Sequence, residues 1–218
     1  MVIGGLAVRI GPEAVVIVAA QPLRVLSSAV HGGGLASARA VVNLHVGKDD
    51  PCADPAAMLA AYTRRAGVPE PFVGLLTGAR TEAAAAGEED GAGLRTLAIV
   101  TIGLSNAVAA GRTPVSGWTH GTINTVVVVD ADPEPSALVN AVMTLTEVKA
   151  LLLHEAGVRD AAGGPVTGTS TDAVVIAATG RGPHCRFGGP VSELGWLVAR
   201  AVKTAMDAGV ARWMAEHR

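Results

Sequence analysis

Apolar positions along the chain fall into short β-branched runs separated by glycine-rich polar turns, and three stretches keep helical spacing instead. Residues 2–10 and 14–20 are apolar runs split by Gly11-Pro12, which predicts a hairpin. Residues 23–30 and 38–46 read as further strands, broken by His31-Gly32-Gly33-Gly34. Their short connections favour antiparallel pairing. Residues 54–66 predict a helix with Asp54 as N-cap, Pro55 at the first position and Gly67 closing it. Residues 72–76, 95–102, 125–129 and 173–177 predict strands, and the acidic, alanine-rich residues 81–93 a surface loop or frayed helix. Residues 132–155 predict the strongest helix, capped by Asp132 or Ser136 and ended by Gly157. Residues 193–217 predict the last, capped by Ser192. The sum is one α+β domain: a mixed or antiparallel sheet covered by helices, with polar turns grouped at one sheet end.

The turn that stands out is Pro165-Val166-Thr167-Gly168-Thr169-Ser170-Thr171-Asp172, placed directly before the strand at 173–177. Four hydroxyls, a glycine and a carboxylate do not build a core. Their polar groups need partners, from neighbouring loops or from a ligand. Gly121-Thr122-Ile123-Asn124 before the strand at 125–129 repeats the pattern, too briefly to separate duplication from reuse of a local solution. A third polar turn begins at Thr101. On the helix at 132–155, Leu138, Val142, Leu145, Val148 and Leu152 form the apolar face. Asn140, Thr144, Glu147, Leu151 and His154 form a second stripe, either ordinary exposed surface or a face turned to a pocket.

Composition narrows the classes. Half of the 218 residues are apolar and only 3% aromatic, so the core is aliphatic. Net charge is −2, with no basic stripe or aromatic platform to suggest nucleic acid. The apolar run at 14–20 is far short of the roughly 18 residues that span a bilayer. No basic n-region with a long apolar core opens the chain, so a cytoplasmic protein is expected, with no membrane partner. Cys52 and Cys185 form no CxxC pair.

Generic catalytic motifs are absent. Gly32-Gly33-Gly34 suits a phosphate, but a turn between strands is the commoner explanation. His184 beside Cys185 is a weak nucleophile candidate, since adjacent residues rarely face each other. Acid–base candidates are His31, His45, His120, His154, Glu147 and Asp172. They show no metal-ligand spacing, so neither metal nor cofactor is expected.

Several blocks in order resemble the adenosylcobinamide amidohydrolase (CbiZ) family of corrinoid salvage. They are Leu26-Ser27-Ser28-Ala29 with Gly32-Gly33, Asn43 and Val46, and Thr101-Ile102-Gly103-Leu104-Ser105-Asn106-Ala107. Gly121-Thr122-Ile123-Asn124, Thr146-Glu147-Val148-Lys149, Thr167 to Asp172, and Gly189-Pro190 with Glu193-Leu194-Gly195 follow. Val148, where the family pattern has alanine, and the bulkier Ile102 depart from it. The resemblance implies hydrolysis of the amide joining the corrin propionate to aminopropanol, giving adenosylcobyric acid. Pseudocobalamin-type corrinoids are further substrates of some members. The corrinoid is then substrate, not cofactor.

Amide hydrolysis needs a nucleophile or activated water, oxyanion donors and an acid for the leaving amine. Glu147 and Asp172 are the expected general base or orienting groups. Thr122, Ser105, Thr169 and Thr171 are the candidate hydroxyls, and the N–H groups of the Gly121 and Gly168 turns the candidate oxyanion hole. Substrate contacts are expected from Ser27, Ser28, Gly32, Gly33, Asn106, Trp118, Gly121, Asn124, Thr167, Gly168, Thr169, Ser170 and Thr171. Lys149 lies about 200° round a helix from Glu147, so the two cannot both face the substrate from a regular helix. A corrinoid carrier without hydrolysis is the alternative, and a nucleotide phosphotransferase a more distant one. Homo-oligomerisation is left open.

Overall fold

The computed structural model describes residues 3–47, 50, 52–115 and 121–217. The strands are β1 (Leu6–Ile10), β2 (Ala14–Ser27), β3 (Gly34–His45), β4 (Phe72–Thr77), β5 (Ala85–Gly91), β6 (Leu94–Ile102), β7 (Ala107–Val108), β8 (Ile123–Val129), β9 (Asp132–Pro133), β10 (Gly168–Thr169), β11 (Ala173–Ala178) and β12 (His184–Cys185). The helices are α1 (Pro55–Ala66), α2 (Pro135–Glu155) and α3 (Glu193–Glu216). The main sheet is mixed, in the order β4-β3-β2-β11-β8-β6-β5, with β1 added to β2.

The sheet folds over on itself. β2 is a single long strand whose register with β3 shifts between Val18 and Leu23. On one side of this irregularity β2 pairs with β1, and on the other with β11. Val15, Ile17, Val41, Val73 and Leu75 from one half then pack against Leu97, Ile99, Val126, Val128 and Val175 from the other. Helices cover both outer faces. α2 and α3 lie on β6, β8 and β11 through Leu138, Leu145, Val198 and Met206. α1 lies on β2, β3 and β4 through Leu59 and Tyr62. Strand alternation serves the two interfaces at once: Val126 and Val128 face the other half-sheet, Val127 and Val129 face the helices.

α1 keeps the predicted caps: Asp54 Oδ1 accepts the N–H of Ala57 at 2.9 Å, and Gly67 closes the helix in the left-handed conformation. α2 starts at Pro135 rather than at Asp132, because Asp132 and Pro133 pair with His184 and Cys185 as a short parallel ladder. The predicted cap residues are thus otherwise engaged, and Ser136 bonds Glu134. Among the described residues α2 alone is long and apolar enough by composition to cross a membrane, yet Leu138, Leu145, Leu152 and Leu153 are buried inside the protein.

Residues 81–93 differ most from expectation. They form a 3₁₀ turn and then β5, an edge strand lying under α3. The small residues serve close packing rather than helix formation: a Cβ on Gly87 would stand 2.1 Å from the carbonyl oxygen of Ala201. Gly87→Ala should therefore cost about 2 kcal/mol through overpacking, read as a lower urea midpoint with an unchanged m-value.

β8, α2 and β11 form a strand–helix–strand unit with its two strands parallel and adjacent. A helix of 21 residues spans about 31 Å. It carries the chain back to the starting end of β8, so the C-terminal half of α2 lies beside the residues that begin β8 and β11.

Candidate active site

The alternation that builds the inter-sheet core continues into polar residues at one end. Along β8 the inward positions run Val128, Val126, Asn124 and then Thr122. On β6 Thr101 follows Leu97 and Ile99; on β3 Asn43 follows Val41; on β4 Thr77 follows Val73 and Leu75. All five polar residues are buried, and they are joined. Asn124 Nδ2 donates to Asn43 Oδ1 at 2.8 Å and to the Leu76 carbonyl at 2.9 Å. Asn43 Nδ2 donates to Thr101 Oγ1 at 3.0 Å. The network ties the starts of β8 and β11 to the ends of β3, β4 and β6.

At its edge stands Asp172. Its Oδ1 accepts the Ile123 N–H at 3.0 Å and the Thr169 hydroxyl; its Oδ2 accepts the Thr169 N–H at 3.1 Å and the Lys149 ammonium. Four donors fill the roughly four lone-pair sites of a carboxylate. The Lys149 and Asp172 side chains are only 11% and 12% exposed, so the pair is largely desolvated. Its proximity explains Gly168, where a Cβ would stand 2.3 Å from Asp172 Oδ2 and 2.8 Å from Lys149 Nζ.

Thr122, 3% exposed, has its Oγ1 within reach of two acceptors, the Thr171 carbonyl at 2.8 Å and Asn124 Oδ1 at 3.0 Å. A hydroxyl has one proton to give. No donor among the described residues occupies its lone pairs. Thr122 lines a cavity of about 310 Å³ with Ser28, Val30, Cys52, Thr77, Thr171 and Asp172. A second cavity of about 530 Å³ adjoins it, and Gly78 and Gly121 line both.

The other predicted residues distribute as follows. Ser170, Thr171 and Asn106 close the turn: Asn106 Nδ2 donates to Ser170 Oγ at 2.7 Å, and the Thr171 hydroxyl donates to the Gly121 carbonyl at 3.0 Å. Thr167 Oγ1 accepts the Ala110 N–H, and Gly168 and Thr169 pair with β7, so this part of the loop is tied to the scaffold. Ser105 lines the second cavity. Ser28 lines the first and accepts the Val174 N–H. Ser27 and the exposed Gly32 and Gly33 line neither. Trp118 and His120 lie outside the described residues. The N–H groups of Ile123 and Thr169 are spent on Asp172, which removes them from the expected oxyanion hole.

Glu147 is not brought to this site. It is exposed on α2, while Lys149, about 200° round the helix, points at Asp172. The polar stripe containing Glu147 is mostly surface; Thr144 is buried, but its hydroxyl bonds the Gly188 carbonyl. Glu147→Gln should leave kcat/KM within about twofold of the parent, the ordinary outcome for an exposed residue away from the chemistry. A hundredfold loss would return Glu147 to the mechanism.

Among the described residues, the remaining histidine candidates stand apart from the cluster: His31 stacks on Phe72 with ring centroids 4.4 Å apart, His45 Nδ1 meets the Ala79 carbonyl at 2.9 Å, and His154 is exposed. Burial, then Glu193 and Asp132, push the Cys185 thiol up; burial, then Asp50, do the same to Cys52. Neither is therefore poised as a thiolate.

Sequence reasoning set Lys149 aside and missed Asn43, Thr77 and Thr101 as members of the site. The signals were present. Lys149 continues the buried stripe of Leu138 and Leu145, and the other three extend period-2 patterns past their apolar residues.

The chain is 29% identical to the adenosylcobinamide amidohydrolase of Methanosarcina mazei over 187 residues, 82% of this chain and 86% of the relative. It is 30% identical to an uncharacterised protein of Methanocaldococcus jannaschii over 88 residues, 39% of this chain and 34% of that protein. Among solved structures, a Burkholderia sp. beta-aminopeptidase shares the fold, with a TM-score of 0.50 and 13% identity over 92% of this chain and 79% of its own. The profile of one family covers residues 3–218, nearly the whole length. The chain belongs to the adenosylcobinamide amidohydrolase family.

Proposed function

We propose that this amidohydrolase cleaves adenosylcobinamide at the amide joining the corrin propionate to aminopropanol, and that Thr122 Oγ1 is the attacking atom. The observation that carries the reading is the placement of Thr122. It is a buried hydroxyl with acceptors for its proton and no donor on its lone pairs among the described residues, and it lines a cavity together with Asp172. Attack on the amide carbon forms the C–O bond and gives a tetrahedral intermediate. Its collapse breaks the C–N bond, the hydroxyl proton passes to the departing nitrogen, and the amine leaves an ester on Thr122 that water hydrolyses to adenosylcobyric acid, returning the hydroxyl.

Asp172 acts by position in this scheme. Its two oxygens accept four donors, and through them it holds the Ile123 peptide next to Thr122 and the Thr169 turn. Lys149 has donor protons beyond the one given to Asp172. It lines neither cavity, so it acts from behind Asp172, supplying positive charge to the site as the oxyanion forms. The same bond in pseudocobalamin-type corrinoids is a second substrate of this reading.

Release of aminopropanol is the test. Incubation of purified protein with excess adenosylcobinamide should liberate many equivalents of aminopropanol per protein. Tight corrinoid binding with no aminopropanol would make the chain a carrier and overturn the reading.

A further inference from the structure

The second cavity is built for something other than the scissile amide. Gly78 and Gly121 connect it to Thr122, and its far side is the C-terminal end of α3. There Trp213, half-buried on the core, stacks with His217 at a centroid distance of 4.1 Å and an interplanar angle of 11°. Ile102 forms another part of the lining, and Gly209 lets it come close, since a Cβ there would stand 2.8 Å from Ile102 Cγ1.

The rim is polar and partly compensated. Arg80 donates to both oxygens of Glu216, at 2.9 and 3.0 Å. Arg212 donates to the Ala83 carbonyl at 2.8 Å and makes no ion pair among the described residues. A flat aromatic wall, an aliphatic neighbour and hydrogen-bonding groups at the mouth suit a planar heteroaromatic ring carrying a polyhydroxylated sugar. About 530 Å³ falls within the usual range for a small-molecule site. Aminopropanol is far too small to fill a cavity of this volume.

We infer that the cavity bounded by Ile102, Arg212, Trp213 and His217 is a nucleoside subsite, in which the stacked Trp213–His217 pair forms the aromatic wall for the purine-type base of the corrinoid substrate. The inference rests on the corrinoid reading above. A nucleoside has two sources in such substrates: the adenosyl group on cobalt, and the base of the nucleotide in a complete corrinoid.

Kinetics of Trp213→Ala and Trp213→Phe test it. Trp213→Ala should raise KM for adenosylcobinamide about tenfold, in the range that loss of one stacking aromatic costs a bound base. kcat should stay within about twofold, and Trp213→Phe should restore most of the affinity. 5′-Deoxyadenosine should compete with substrate on the parent protein and not on Trp213→Ala; the parent's competition is readable even if the variant fails to fold. A KM effect confined to adenosylated corrinoids assigns the subsite to the cobalt-bound group. An effect on a cyano-form complete corrinoid assigns it to the lower nucleotide. An equal rise for cyanocobinamide, which carries neither nucleoside, or no rise at all, overturns the inference. If the parent protein hydrolyses no corrinoid, the function reading fails separately. Calorimetric titration with 5′-deoxyadenosine still decides the subsite: binding to the parent but not to Trp213→Ala supports it, and no binding or equal binding rejects it.

Discussion

Thr122→Val should abolish turnover and leave the protein folded. If Thr122 Oγ1 is the attacking atom, kcat/KM should fall at least about 10³-fold, as expected when an enzyme loses its nucleophile. Valine matches threonine in shape, and the position is 3% exposed, so packing is preserved. What is lost from the fold is one hydroxyl donor to the Thr171 carbonyl or Asn124 Oδ1. That costs about 1 kcal/mol. Corrinoid affinity should change little. Thr122→Ser, which retains the oxygen, should keep measurable turnover. The decisive pair of measurements is hydrolysis rate and urea midpoint on the same preparations. A Thr122→Val protein that keeps a tenth of the parent rate would remove the hydroxyl from the bond-making step.

Asp172→Asn should fail in both respects. Asparagine offers one acceptor oxygen and an NH₂ group to a site with four donors, so the Ile123 N–H on one side, or the Thr169 N–H and the Lys149 ammonium on the other, face an amide nitrogen that cannot accept them. Lys149 is left in a largely buried place without its counter-charge. Breaking one side of such a pair costs about 3 kcal/mol or more. Turnover should fall at least about 100-fold, because the Ile123 peptide beside Thr122 and the Thr169 turn lose their common anchor. Replacing both charges, as in Lys149→Met with Asp172→Asn, should recover part of the lost stability, since no buried charge is then unpaired, while activity stays absent. An Asp172→Asn protein with the parental urea midpoint would show that the pair is not the anchor described.

Much of this architecture is legible in the sequence because its signals are local. The caps of α1 at Asp54 and Gly67, the strand–turn boundaries at β8 and β11, and the grouping of polar turns at one sheet end follow from short patterns. β5 was not legible, because an alanine- and glycine-rich segment becomes a strand only when α3 lies across it. Glu147 drew attention as a carboxylate on a mixed stripe, and the structure puts it in solvent. What matters there is which side of α2 meets the turn before β11, and that is set by Lys149 sharing the buried stripe of Leu145 and Leu152. Asn43 and Thr77 join the site because the sheet doubles over at β2, a long-range event with only a register shift to mark it. The wall at Trp213 and Arg212 comes from the far end of α3, more than a hundred residues from Gly78 in sequence, and no local pattern links them.

The proposed reaction breaks the amide C–N bond of the corrin side chain on its acyl side. Hydrolysis of adenosylcobinamide in ¹⁸O-labelled water, with mass spectrometry of both products, tests it most directly. The account predicts adenosylcobyric acid bearing one ¹⁸O in the new carboxylate, and unlabelled aminopropanol. A corrinoid recovered unchanged, or a corrinoid carboxamide released together with ¹⁸O-labelled propanediol, would contradict it.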